Sequence, residues 1–151
     1  MEPGRTYFET LLKAKQTLGN MELLDYIPKC VSQEQNDGLC CPPDNEEIKK
    51  TLFGMKIDNA PGPDDMGVNF FIAYWDIVRK DLCEAIKNFF CKSIPPRTWK
   101  STFIALIPKT LALKSFADFR PITLCNVYYK VISRLISRQL KHILPLIISQ
   151  E

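Results

Sequence analysis

The sequence predicts an α+β fold that is helix-rich and contains one small antiparallel β-hairpin. Several long stretches repeat apolar residues at three- and four-residue spacing, as amphipathic helices do. Two short extended runs, around residues 101–107 and 119–123, favour a pair of strands. At 151 residues, 46% hydrophobic and 25% charged, the chain is globular in composition and long enough for one core. Because an isolated pair of strands is only marginally stable, the hairpin should need packing partners.

The N-terminal part predicts a helix, then polar and proline-rich sequence, then a second helix. Residues 6–18 carry apolar residues at helical spacing and are followed by Gly19. The intervening polar segment reaches Asp44, which lies three residues before Glu47 and therefore predicts an N-cap with a capping box. The helix that it opens should end before the stiff proline-glycine loop APGPDD at residues 60–65.

A helical pattern returns from about residue 68 to residue 92. Its apolar residues include an aromatic-rich stripe between Phe71 and Phe89. Exposed aromatic rings could stack on bases, but an aromatic stripe at helical spacing is more typical of a protein core. We therefore expect this stripe to be buried.

The C-terminal part predicts the hairpin and one long helix. The run STFIALIPK (101–109) is nearly continuously apolar, which favours a buried strand, and a second extended stretch surrounds FRPIT. Asn126 is placed to cap a helix that continues to about Leu144. The apolar stripe of that helix should face the core and pack on the 71–89 stripe. Its opposite, exposed side carries Lys130, Arg134, Arg138 and Lys141.

Charge is distributed unevenly along the chain. Residues 1–85 carry 9 Lys and Arg against 15 Asp and Glu, whereas residues 86–151 carry 11 against 2. The second part therefore has a balance of +9, the pattern of a surface that meets a polyanion, nucleic acid above all. A solubilising excess of charge on solvated faces is the alternative interpretation.

The cysteine pattern and the termini bear on compartment. The six cysteines form no C-x-x-C pair and the single histidine, His142, lies apart from them, so a zinc site is not expected. No apolar run approaches the roughly 18 residues of a membrane span, and the start resembles neither a secretory nor a transit peptide. We expect reduced thiols in an intracellular protein, nuclear or cytoplasmic, without a membrane partner.

Lys109 and Arg120 are the candidate ligand-binding pair. Pro121 biases Arg120 toward extended geometry, and Lys109 ends the preceding strand, so a hairpin can bring two cations over one pocket. Arginine recognises phosphate oxygens in a planar, bidentate manner, and lysine adds a mobile point charge. The pair suits a triphosphate or a nucleic-acid backbone, although any basic hairpin would meet this description.

Three motifs make the sequence recognisable. The segments IDNAPGPDD, TFIALIPK and DFRPITLCNVYYK occur in this order, and the likeness extends from about Tyr7 to the last residue. Together they resemble the reverse transcriptase of plant non-LTR (LINE-like) retrotransposons. The resemblance implies a division into a helical, linker-like N-terminal extension, 1–43, and a partial reverse transcriptase domain, 44–151, that comprises the fingers and the first palm helix.

The resemblance also assigns roles to residues. Lys109 and Arg120 would hold the triphosphate of an incoming dNTP, and the APGPD loop, through Pro61 and Gly62, would contact the template. The implied partners are an RNA template, a DNA primer and dNTP. The basic C-terminal part contributes two further candidate nucleic-acid-binding residues, Lys100 and Arg138.

Two departures from the family pattern limit what the chain should do alone. The family usually has glycine where this chain has Asp65, which removes the freedom of glycine at positive φ. The resemblance places the palm aspartates that hold Mg²⁺ beyond the last residue, so the domain is expected to be truncated before the catalytic motif, and the only Asp-Asp pair present, Asp64-Asp65, lies in a loop with no apolar strand before it. We expect no catalytic or metal-binding residue, no cofactor, and no activity without a missing palm or thumb segment. The alternatives are a non-catalytic nucleic-acid-binding module and an inert retrotransposon relic.

Overall fold

The computed structural model describes residues 2–13, 30–92 and 101–148. These ranges contain helices and one two-stranded sheet, and the α+β fold with an antiparallel hairpin is confirmed. The elements in chain order are α1 (Glu2–Leu12), α2 (Gln33–Cys40), α3 (Asn45–Phe53), α4 (Val68–Ala73), α5 (Trp75–Lys92), β1 (Phe103–Pro108), a 3₁₀ turn (Phe116–Asp118), β2 (Phe119–Leu124), α6 (Val127–Lys141) and α7 (Leu144–Ile147).

The chain divides into two compact units. The hairpin unit comprises Met1–Lys29 and Leu106–Ile122, and the helical unit comprises Cys30–Ala105 and Thr123–Glu151. In the hairpin unit, α1 packs its aromatic residues on the loop between the strands: the rings of Tyr7 and Phe8 lie 5.8 and 6.4 Å from that of Phe116. The boundary predicted between residues 43 and 44 stays a prediction.

Helix α3 begins where the sequence predicts. Asp44 has extended geometry, and its Oδ1 accepts a hydrogen bond of 2.7 Å from the Glu47 N–H. A carboxylate there satisfies one of the unpaired N–H groups of the first turn and favours the positive end of the helix dipole. The cap orients α3 so that its apolar residues Ile48 and Leu52 are fully buried.

The core of the helical unit forms around α6. Its stripe of Val127, Val131 and Leu135 is fully buried and joins one cluster with residues of α3, α4 and α5. Phe71 packs edge-on against the Tyr128 ring at 5.5 Å, so the predicted packing of the last long helix on the aromatic stripe is confirmed. The other large buried members are Ile48, Leu52, Leu82 and Ile86.

Two helical regions differ from the prediction. The helix predicted over 68–92 is interrupted at Tyr74, which has non-helical φ and ψ of −106° and 25° and is 52% exposed. The prediction that the whole aromatic stripe is buried was therefore wrong at this position. Helix α1 already begins at Glu2, and its predicted end at Gly19 lies outside the described residues.

Helix α2 was not predicted from the sequence. This helix has no buried residue, so it carries no apolar periodicity to detect. Its signal was local: Ser32 accepts from the Gln35 N–H while Gln35 accepts from the Ser32 N–H, a reciprocal capping box.

The strand β1 lies at the predicted place, but the prediction that it is buried was wrong. Five of its six residues are exposed, including Phe103, Ile104 and Ile107. A continuous apolar run identifies a strand without showing what covers it. In the part of the chain that the structure describes, the sheet has only β1 and β2.

Candidate nucleotide and nucleic-acid sites

The hairpin places Lys109 and Arg120 on one face. The Lys109 N–H donates to the Asp118 carbonyl at 2.8 Å, which sets residue 109 opposite residue 118. This register places Ile107 opposite Arg120. Because side chains alternate between the faces of a strand, Lys109, Ile107 and Arg120 share one face, with the two cations as diagonal neighbours.

Lys109 is held by the end of the hairpin loop. Its ammonium donates a 2.6 Å hydrogen bond to the Ala117 carbonyl. Asp118 folds the same loop by accepting backbone N–H groups of Lys114 and Ser115 at 2.9 and 2.8 Å. These two bonds, more than the nearby Lys109 charge, hold the pKa of the Asp118 carboxyl below its ordinary value. The loop therefore orients Lys109 without neutralising it in an ion pair.

Arg120 is exposed, and its guanidinium has no hydrogen-bond or ion-pair partner among the described residues. The next residue, Pro121, lies within β2 and fixes the local φ, so the arginine extends from an ordered strand. The apolar residues on this face, Ile107 and Ile122, are 48% and 41% exposed. This face of the hairpin therefore presents the available guanidinium of Arg120, the ammonium of Lys109 and two partly exposed isoleucine side chains.

The proline-glycine loop presents Pro61 and buries Gly62. A side chain at Gly62 would drive its Cβ into Asn126, both at the side-chain oxygen Oδ1 and at the backbone nitrogen. Glycine is needed here for close approach to the start of α6. Pro61 is exposed and Gly62 is buried, and the template contact predicted for both residues stays a prediction.

Asn126 occupies the predicted N-cap position, but its side chain does not cap α6. The residue has extended geometry, and its side chain makes no capping hydrogen bond. Its Oδ1 is buried without a hydrogen-bond partner in the described part of the chain.

The Asp64-Asp65 pair forms a turn. Asp64 Oδ1 accepts the Met66 N–H at 3.1 Å, and the Asp65 N–H donates to the Gly62 carbonyl at 3.1 Å. Asp65 adopts φ of 55°, the left-handed region that glycine would enter freely. Aspartate is one of the residues that enters this region with least strain, so the chain keeps the turn without the glycine that the resemblance leads one to expect.

The basic side of α6 bonds to the protein itself. The Lys130 ammonium donates to the Ala60 carbonyl, and Arg134 donates to the Gly54 carbonyl at 2.9 Å. Arg138 donates through one amino group to the Thr51 hydroxyl, also at 2.9 Å. Arg138 is nevertheless exposed. Its nucleic-acid-binding role stays a prediction, which requires that Arg138 contact a ligand while it also donates to Thr51.

One predicted site residue lies outside the described residues. Lys100 falls in residues 93–100, which are not among the described residues. No group of three or more His, Cys, Asp or Glu side chains could hold a metal ion in the described ranges. The residues present there do not fit a Mg²⁺ site. Nor is any described helix long and apolar enough to cross a membrane.

A groove between α3 and α5 was not predicted from the sequence. Its lining includes Lys49, Arg79 and Lys87, cations that lie in or beside the acidic first part of the chain. The sequence did not single out these cations, because acidic residues outnumber basic ones in that part of the chain. The available signal was their spacing: Arg79 and Lys87 lie eight residues apart and so share one face of α5. Burial raises the pKa of the Cys83 thiol between them, and the Lys87 charge opposes that shift.

Comparison with known proteins identifies one relationship. The chain is 29% identical over 127 residues to the "Transposon TX1 uncharacterized 149 kDa protein" of Xenopus laevis. The chain is related to a transposon-encoded protein. The match covers 84% of this chain and 10% of the Xenopus protein, so the chain spans about a tenth of the length of the relative it matches. No protein-family model matches the chain.

Proposed function

We propose that this chain is part of a retrotransposon reverse transcriptase and that its hairpin holds the triphosphate of an incoming dNTP. The observation that carries the proposal is the placement of Lys109 and Arg120 on one face of an ordered hairpin, with the Arg120 guanidinium unpartnered among described residues. The relationship to a transposon protein and the motifs of the sequence support the same reading.

The roles of the two cations differ. Arg120 offers two parallel N–H donors to a pair of phosphate oxygens, which fixes the orientation of the ligand. Lys109 can move its ammonium from the Ala117 carbonyl to a phosphate oxygen, because that bond is exposed and an ionic acceptor is stronger. The exposed Ile107 and Ile122 would contact the apolar parts of the nucleotide or a further segment of the polymerase.

The proposal assigns no chemical step to this chain. Phosphoryl transfer by a polymerase needs carboxylate-held metal ions, and the described residues do not supply them. The hairpin positions the substrate and neutralises charge; other residues would have to carry out the reaction.

A nucleotide titration followed by NMR tests the proposal. We expect dTTP to shift backbone amide resonances within 106–122, while thymidine without phosphates shifts few of them. Arg120→Gln and Lys109→Gln should each weaken binding about fivefold, the effect of losing one exposed charge-assisted hydrogen bond. Lys114→Gln, which removes an equal charge from the same loop, should change the affinity less than about twofold. Shifts outside 106–122 only, or none at saturating dTTP, would refute the assignment.

A non-catalytic nucleic-acid-binding module is the second candidate, and the groove between α3 and α5 is the observation that favours it. The two candidate functions predict that substitutions at different residues will weaken binding. Loss of nucleotide binding on hairpin substitution supports the first, and loss of RNA binding on groove substitution supports the second. An inert relic would show neither.

A further inference from the structure

The groove between α3 and α5 is a concave surface of the helical unit. It has a volume of about 610 Å³ and lies wholly within residues 45–88. Its residues on α5 fall in a row at four-residue spacing, Trp75, Arg79, Cys83 and Lys87, which therefore share one helix face. On α3 the corresponding row contains Asn45 and Lys49 and continues to Phe53. We name this surface the α3–α5 groove.

The charges of the groove are available for a ligand. Four cations line it, and the acids Glu46 and Glu84 leave a formal excess of two positive charges. The one ion pair within the described residues is Arg5–Glu9, so none of these cations is neutralised by a carboxylate within 4.0 Å. Unlike Lys130, Arg134 and Arg138 of α6, they donate no hydrogen bond to a described residue. The cations are Lys49, Arg79, Lys80 and Lys87.

Aromatic rings stand at one end of the row. The Phe53 ring packs edge-on against Trp75 with centroids 5.7 Å apart, and the Lys49 ammonium lies 5.8 Å from the Phe53 centroid. Trp75 is half-buried, so its indole is fixed by packing on the core and still faces the groove. A fixed ring beside several cations is the combination that binds single-stranded nucleic acid, since bases stack and phosphates pair with the charges.

We infer that the α3–α5 groove binds single-stranded nucleic acid, with Trp75 stacking on a base and Arg79 and Lys87 contacting backbone phosphates. The inference rests on the second candidate function and deepens it by naming the class of ligand and the residues that contact it; because it involves none of the hairpin residues, it can fail while the nucleotide site on the hairpin stands.

The dimensions of the row favour a polymer over a mononucleotide. Trp75 and Lys87 are twelve residues apart, which corresponds to about 18 Å along a helix. A mononucleotide cannot contact both ends, whereas an extended strand can. The indole separates nucleic acid from an acidic peptide, because a polyglutamate chain supplies charge but no base to stack.

Binding of a labelled single-stranded RNA to the whole chain, followed by anisotropy, tests the charge contacts. At about 50 mM salt the double variant Arg79→Gln/Lys87→Gln should bind about tenfold more weakly than the parent, with a salt slope smaller by about 1.4. The matched control Lys13→Gln/Lys56→Gln removes two exposed charges outside the groove and should change the affinity less than about twofold. Equal thermal melts of the two doubles confirm that both are folded. If the groove double and the control bind equally, the inference is wrong.

Tryptophan fluorescence tests the stacking contact. The chain has two tryptophans, so Trp99→Phe leaves Trp75 as the only emitter of this type. RNA should quench this emission with the same midpoint as the anisotropy titration, whereas polyglutamate of matched charge should leave it unchanged and bind more weakly. Absence of quenching at saturating RNA, or equal affinity for polyglutamate, would overturn the assignment to nucleic acid.

Discussion

At the scale of single residues, the loop before α4 depends on two backbone positions. Gly62 lies so close to Asn126 that no side chain fits between them, and Asp65 holds a left-handed turn. Both positions act through shape. The close approach fixes where the proline-glycine loop lies relative to the start of α6, and so determines how Pro61 is presented.

Gly62→Ala should destabilise the protein by about 1–3 kcal/mol, the usual effect of forcing an extra carbon into a packed site. The matched control is Gly38→Ala on α2, where an added Cβ meets nothing within 4 Å. There the substitution should stabilise by about 0.5–1 kcal/mol, because alanine loses less conformational entropy in a helix than glycine does. Urea unfolding of both variants measures the two effects, and equal effects would contradict the packing seen at Gly62.

Residue roles were predictable from the sequence where the partner is local. Asp44 caps α3 by accepting a hydrogen bond from Glu47, which lies only three positions away, so both partners can be recognised in one short stretch of sequence. The Arg138 bond to Thr51 joins residues 87 positions apart, and only the packing of α6 on α3 brings them together. The sequence pattern therefore identified Arg138 as an exposed cation, but it could not show that one amino group of Arg138 donates to the Thr51 hydroxyl.

At the scale of elements, α6 stabilises the fold through both of its sides. Its apolar side fills the core, and three cations of its other side, Lys130, Arg134 and Arg138, donate to oxygens of the segment 51–60. The bonds to main-chain carbonyls satisfy groups at and after the end of α3 that have no partner within the helix. The basic side of α6 therefore serves first to attach this helix to the 51–60 segment and only secondarily offers a surface to a ligand.

Arg138→Met should lower the free energy of unfolding by about 1–2 kcal/mol, because it removes a charged donor from the buried Thr51 hydroxyl while keeping an apolar stem. Lys141→Met removes a neighbouring charge that makes no hydrogen bond to a described residue, and should cost less than about 0.5 kcal/mol. Thermal melts measure the difference. Equal melting temperatures would show that the Arg138 bond contributes nothing measurable.

Elements were predictable in proportion to their apolar periodicity. The stripes of α3, α5 and α6 are visible in the sequence, whereas α2 buries nothing and gave no periodic signal. The apolar run of β1 was wrongly interpreted as a buried strand. Hydrophobicity predicts that a segment favours a packing partner, but it does not show that such a partner is present.

At the scale of the whole molecule, the helical unit has a single contiguous core, which the relic hypothesis does not require. Leu135 is fully buried at its centre, and Leu135→Ala should cost about 2–5 kcal/mol. Leu146, which is 52% exposed, provides the control, and its replacement by alanine should cost less than about 0.5 kcal/mol. A parent chain without a cooperative unfolding transition would instead favour an unfolded relic.

The purified chain should not extend a DNA primer on an RNA template with Mg²⁺ or Mn²⁺. Among the described residues, no group of three or more His, Cys, Asp or Glu side chains could hold a metal ion, and Asp64 uses its side chain to cap a turn. Template-dependent incorporation that survives repurification and disappears on Arg120→Ala would contradict this expectation.

The candidate sites were predictable only in part. Lys109 and Arg120 are close in sequence and flank one loop, so a hairpin already implied their proximity. The cations of the α3–α5 groove come from helices separated by the proline-glycine loop and by α4, and no local pattern joins Lys49 to Arg79. Such a site requires the tertiary fold.

Affinity labelling with an acyl phosphate of a deoxynucleoside triphosphate tests the central claim most directly. Such a reagent transfers its acyl group from the terminal phosphate to a nearby lysine amine and releases the nucleotide, so peptide mapping reports which lysine lies at the phosphates. We expect Lys109 to be labelled first, with protection by excess dNTP and less labelling in Arg120→Gln. Labelling that is spread over other lysines, such as Lys49 or Lys87, and is not reduced by dNTP would contradict a triphosphate site on the hairpin.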